Sequence, residues 1–305
     1  MRRRFSPWLL LLLIAALCAA VLGTVVYLRS RAESTAKLLE RLPANSTAVF
    51  YVDIDGLRKA GLMEIFGGSD MVREPEYRAF VEQTGFDYGR DLDSAILAFH
   101  STGKYMLLRG RFNWALLKRY TETQGGTCRH AFCRSEGSTP ERQISYFPVD
   151  GETMGLAVSS DSWAATQLWD HRKHTLRVPD KPVWGILSSA AWKDTATLPA
   201  GARAFALALN GVDRVLFTAG RASDGVELTM NVDCKSAGQA AGVVLRLRET
   251  TSTLLDLIRK EGQTPNPGDL SGILTSGAFE QRDTEVVGRW PVPRAFLASL
   301  AGGAL

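Results

Sequence analysis

The sequence is short of the residues that carry most enzyme chemistry. Its 305 residues include four cysteines and four histidines, too few for a disulfide-dense scaffold. No cysteine pair has the C-x2-C spacing of a structural zinc site. None of G-x-S-x-G, G-x-x-x-x-G-K-[ST], G-x-G-x-x-G or H-E-x-x-H occurs, so the commonest hydrolase, nucleotide-binding and zinc-protease signatures are missing. No cofactor and no metal site is expected. Charge is missing too: from Pro7 to Leu28 no side chain is ionised at neutral pH.

That uncharged run is the strongest signal in the chain. As a helix, residues 7–28 would rise about 33 Å, enough to cross a hydrocarbon core of about 30 Å. A cleaved signal peptide has a shorter apolar core of about 7–15 residues, so a transmembrane anchor fits better, with cleavage after Ala20 as the alternative. Arg2, Arg3 and Arg4 flank one end, and Arg29, Arg31 and Lys37 the other. The positive-inside rule then places residues 1–6 in the cytoplasm and the bulk of the chain outside the inner membrane. The expected partner of residues 7–28 is the lipid bilayer.

The pI of 8.9 has the same origin. Residues 1–28 hold three arginines and no acid, leaving 33 basic against 32 acidic side chains in the rest. The basic excess belongs to the membrane flanks, and nucleic acid is not an expected partner.

Past the anchor, "RAESTAKLLE" reads as a polar stalk within residues 29–41. "STAVFYVDI" is rich in β-branched and aromatic residues and predicts a strand. Helices follow over 56–66 and 74–84, then a hairpin turning at Ser101-Thr102-Gly103, and a helix opened by Asn113. Three short strands are expected near 128–133, 143–148 and 154–159, then a helix over 161–169. The order resembles a split β-α-β unit on an antiparallel sheet. "RAFALAL", "RVLFTAGR" and "GVELTMNVDC" suggest a meander. Ala240, Val244, Leu247, Thr251, Leu254 and Ile258 form one apolar stripe on a long helix over 236–261. A strand pair and a helix from Pro293 close the chain. The expected class is α+β: an N-terminal transmembrane helix followed by two antiparallel-sheet-plus-helix halves, 42–174 and 183–305, joined by a linker over 175–182. The halves share Asp-Leu (Asp91, Asp269) nineteen residues before Gly-Arg-aromatic (Gly110, Gly288), and "LPA" at Leu42 and Leu198, which suggests a diverged duplication.

Few residues suggest chemistry. In "DIDG", Asp53 and Asp55 have the spacing at which phosphatases of the haloacid-dehalogenase type place a nucleophile and a general acid and base. Leu57 departs from that pattern, no later strand ends in paired acids, and Asp87 and Asp91 follow a helix. The simpler expectation is that Asp55 caps a helix and Asp53 ends a strand. Ser34 and Lys37 match S-x-x-K without its downstream partners. His171 and His174 have metal spacing, but Arg172 and Lys173 repel a cation; His100 and His130 are expected to be structural. The tryptophans outside the anchor are expected in the core, with an aromatic ligand patch as the alternative. A disulfide between Cys128 and Cys133 would suit an exported domain, provided that a turn separates them.

An anchor followed by "LPANSTAVFYVDIDGL", with "GFDYGRDLDSAI" and "RGRFNWALL", resembles uncharacterised bacterial membrane-anchored envelope proteins. The resemblance implies an exported α+β domain and supplies no catalytic residue. The expected function is a non-catalytic binding module of the cell envelope, engaging an envelope protein or peptide. The alternative is an envelope hydrolase acting through Asp53 and Asp55.

Overall fold

"AVFYVD" forms β1 (Ala48–Asp53) because its alternate residues Val49 and Tyr51 are buried on one side, as a period of two requires. The computed structural model describes residues 35–61, 75–137, 139, 141–170, 178–192, 200–222 and 225–301. The expected transmembrane helix over 7–28, together with Ser34, His171 and His174, lies outside them. No helix among the described residues is long and apolar enough to cross a membrane.

Residues 35–39 form α1. It is followed by β1, α2 (Ile54–Lys59), α3 (Pro75–Thr84), α4 (Tyr88–Asp91), β2 (Leu92–His100), β3 (Gly103–Gly110), α5 (Trp114–Thr123), β4 (Thr127–Arg129), β5 (Phe132–Glu136), β6 (Gln143–Pro148) and β7 (Thr153–Ser159). A short 3-10 helix, Ala164–Leu168, stands where an α-helix over 161–169 is expected. The second part holds β8 (Val183–Ser188), α6 (Ala200–Ala208), β9 (Arg214–Ala222), β10 (Gly225–Asp233), α7 (Ala237–Lys260), α8 (Leu270–Thr275), β11 (Ala278–Arg282), β12 (Glu285–Val292) and α9 (Arg294–Ala301).

Among the described residues, twelve strands make one continuous antiparallel sheet, in the order β11-β12-β10-β9-β8-β1-β2-β3-β7-β6-β5-β4. The class is therefore α+β. Starting from the central pair, the strands run β1-β2-β3-β7-β6 one way and β8-β9-β10-β12-β11 the other. Helices follow the first and third strand of each series, so the two series share one winding. The first series adds the β4–β5 hairpin at its edge.

The register assigns side chains to faces. Tyr146, Leu156, Met106, Leu97, Phe50, Gly185, Phe217 and Met230 are successive cross-strand partners and so share a face. Tyr146 bonds Thr121 of α5 at 2.7 Å, and Met230 belongs to the core beneath α6 and α7. This helix face thus carries the major helices of both series. The next row, from Phe147 through Leu107, Ile96, Tyr51 and Trp184 to Thr218 and Thr229, lies on the opposite face. There the first series builds a second core, with Trp184 stacked on Tyr51 at 5.3 Å, and the second series presents threonines.

Further expectations change. Leu39 and Leu42 are each 1% exposed in that second core, so the stalk expected over 29–41 is part of the folded body from residue 35 onward. "RAFALAL" is helix α6 and not a strand. The shared phrases fall on unlike positions: Gly110 ends β3 while Gly288 lies inside β12, and Asp269 caps α8 while Asp91 ends α4. "LPA" precedes β1 at Leu42, whereas of its second occurrence only Ala200 is described, as the first residue of α6. The two series share a winding, and those phrases do not mark corresponding positions in it.

Candidate functional site

α7 begins at Ser236, whose hydroxyl accepts from Gln239 N at 3.2 Å, as an N-cap serine should. Its first half buries Ala240, Val243, Val244 and Leu247 against the sheet. Beyond Leu247 the stripe continues through Thr251, Leu254 and Ile258, which are only half-buried. Arg246 fixes α7 against the end of α6: its Nε donates to Ala208 O at 2.9 Å and its Nη2 to Asn210 O at 3.3 Å, satisfying carbonyls that a helix end leaves open. Gly201 admits the close approach of α8, since a Cβ there would lie 2.9 Å from Leu274 Cδ1.

Between α6 and α7 this packing leaves an open groove of about 440 Å3. Ala204, Leu207, Leu254 and Leu257 form its apolar lining, and Arg246, Glu249, Thr250 and Thr253 supply polar groups. Leu207 is 56% and Leu257 52% exposed, so the lining faces solvent. An apolar trough with a few polar groups at its edge suits an apolar side-chain row from a partner. Its lining includes no histidine, cysteine or lysine. Sequence reasoning found the stripe on α7 but not the groove, because reading residues 203–209 as a strand removed its second wall.

The acidic pair of the opening strand has other work. Asp53, not Asp55, is the N-cap of α2: its Oδ1 accepts from Gly56 N at 2.8 Å. Asp55 sits in the first turn and pairs with Lys59 at 2.7 Å and Arg58 at 3.4 Å. Arg58 also donates to Gly89 O and Leu92 O at 2.7 and 2.6 Å, tying α2 to the start of β2. Asp87 and Asp91 meet near α4, where Asp87 N donates to Asp91 Oδ2 at 3.0 Å. Among the described residues no three His, Cys, Asp or Glu gather in a metal-binding group.

Cys128 and Cys133 face each other across the β4–β5 hairpin and form a disulfide, with Cα atoms 4.1 Å apart. The intervening turn is His130-Ala131, with His130 at φ 56°. A smaller cavity of about 270 Å3 lies beside the bridge, between Trp114, Lys118, His130 and Tyr146. His100 Nδ1 lies 2.8 Å from Thr102 Oγ1 in the β2–β3 turn. Of the tryptophans, 184, 192 and 290 are buried, while Trp163 and Trp169 are 43% and 52% exposed.

No family model matches this sequence, and no curated protein matches it. Solved structures do. Crystal form I of TP0453 is similar at 10% identity with a TM-score of 0.50, over 88% of this chain and 98% of that one. Crystal form III is similar at 10% identity with a TM-score of 0.52, over 87% and 97%. At that identity, and over nearly the whole of both chains, the likeness is one of fold.

Proposed function

We propose that this protein is a single-pass, membrane-anchored binding module of the bacterial cell envelope, with its folded body exported and without catalytic activity. The groove between α6 and α7 is the observation that carries the reading. It would take a short amphipathic segment of an envelope protein, apolar row inward, with Arg246 and Glu249 fixing its polar edge. The anchor would be residues 7–28, and the Cys128–Cys133 bridge suits an oxidising compartment. We also propose that the common winding of the two strand series reflects a diverged duplication, one copy having kept the open groove. The hydrolase alternative loses its main support, because the carboxylate it would use as nucleophile is engaged as a helix cap.

A photo-crosslinking residue at Leu257 of the full chain, expressed in its host, tests the groove. The expected result is one discrete adduct that Leu254→Asp abolishes and that the same probe at exposed Lys59 does not give. Adducts of equal pattern from both probe positions would sink the reading. For the alternative, phosphomonoester hydrolysis by the full chain with magnesium should stay at background; turnover that Asp53→Asn removes would reverse the assignment.

A further inference from the structure

Trp163 and Trp169 form the exposed end of an aromatic cluster on the sheet face that carries α1. Phe132 stacks on Trp163 with ring centres 5.0 Å apart and lies edge-on to Trp169 at 6.1 Å, while Phe147 meets Trp169 at 5.7 Å. The Arg134 guanidinium lies 4.9 Å over the Trp163 ring. Phe132 and Phe147 belong to the same core as Leu39 and Leu42. Large aromatic rings left half in water beside a core are costly unless something else covers them.

The path of the chain indicates what does. Just after α1, Arg41 Nη1 donates to Leu168 O at 3.3 Å and to Trp169 O at 3.5 Å. α1 rises only about 6 Å over residues 35–39, and Arg41 follows two residues later, which brings the exposed indoles close to where the folded body begins. Only six residues, 29–34, separate that point from the uncharged run ending at Leu28. Fully extended they reach about 20 Å, so a body held by that run cannot stand far off the bilayer. Indole is the side chain best suited to the headgroup zone, having an apolar body with one N–H donor.

We infer that Trp163 and Trp169 rest in the headgroup zone of the bilayer holding residues 7–28, so that the body lies on its own membrane by the α1 face. This rests on the anchor proposed above. It turns the groove between α6 and α7, on the helix face of the sheet, toward the aqueous side. Arg41 and Arg134 lie beside the tryptophans, but the contact inferred is that of the indoles.

The test uses the full chain with Trp8→Phe, reconstituted in phosphatidylcholine vesicles whose acyl chains carry bromine near the headgroup. Tryptophan emission should be quenched, at low and at high salt. The quenching should vanish when Trp163→Phe and Trp169→Phe are added, leaving the emission of the four remaining tryptophans. Phenylalanine keeps a ring against Phe132, and an unchanged thermal unfolding curve verifies the fold; each single variant should remove part of the quenching. Quenching that survives both changes, or is absent from protein that floats with vesicles after alkaline carbonate, overturns the inference and leaves the anchor standing. Protein that does not float removes the anchor, and the inference with it.

Discussion

Asp91 is buried at the end of α4 and binds two arginines, Arg90 Nη2 at 2.7 Å and Arg111 Nη2 at 3.2 Å. The Arg90 hydrogen bonds outweigh burial and, with help from Asp87 N and Arg111, hold the carboxyl down to about 2. Its folded pKa lies below the unfolded value near 3.9, so the stability it supplies is complete above that value and drains away as pH falls toward 2. Asp91→Asn should cost about 1–2 kcal/mol near neutral pH. Urea midpoints of wild type and variant should draw together below about pH 4 and meet near pH 2; a gap independent of pH would contradict this. At Asp53, alanine should cost about 1 kcal/mol and asparagine only a few tenths, as for an N-cap, measured by the same titration. Neither role could be read from "DIDG" or "GRD", since spacing along the chain does not say which amide a carboxylate meets. Asp53 ends the strand as expected, but the cap was expected on the wrong residue, because a helix that begins at Ile54, two residues sooner, moves the cap with it.

α6 shows where element-level reading broke down. In "RAFALAL", Phe205, Leu207 and Leu209 alternate with alanines, which imitates a strand of period two. Alanine is small enough for either face and is the best helix former. The structure buries Phe205, Ala206, Ala208 and Leu209 while leaving Leu207 outside, which is a helical pattern. α7, with a stripe three times as long and a serine at its start, was legible to within a residue or two. The β4–β5 hairpin was half legible: the cysteine spacing suggested a bridge, but only a turn at His130-Ala131 brings the sulfurs together. Alkylation of the denatured, unreduced protein should mark two cysteines, Cys18 and Cys234, and four after reduction. Closing so short a loop is worth about 2 kcal/mol, so reductant should lower Tm by several degrees at most.

At the scale of the molecule, β1 and β8 join the two series edge to edge, and Trp184 of β8 lies in the first series' core, 1% exposed. The body should therefore unfold in one transition, with fluorescence and circular dichroism coincident. Trp184→Ala should cost about 3–5 kcal/mol and shift both probes together; two separate transitions would show that the series fold independently. The shared winding was hidden in the sequence because topology is set by pairing order and burial, which many residues satisfy. What the sequence did show, strands and helices in sequence with a change of phase near residue 180, was enough for the class but not for the single sheet.

Because Leu39 and Leu42 fill the core beside Tyr51 and Trp184, a tether of the kind proposed would not be separable from the fold at residue 41. A protease that trimmed the chain there would pull buried Leu39 away with the leader, strip Leu42 of that neighbour and loosen what it set free. Intact release of the body would require cutting within the six residues before Thr35, a narrow window for any shedding enzyme.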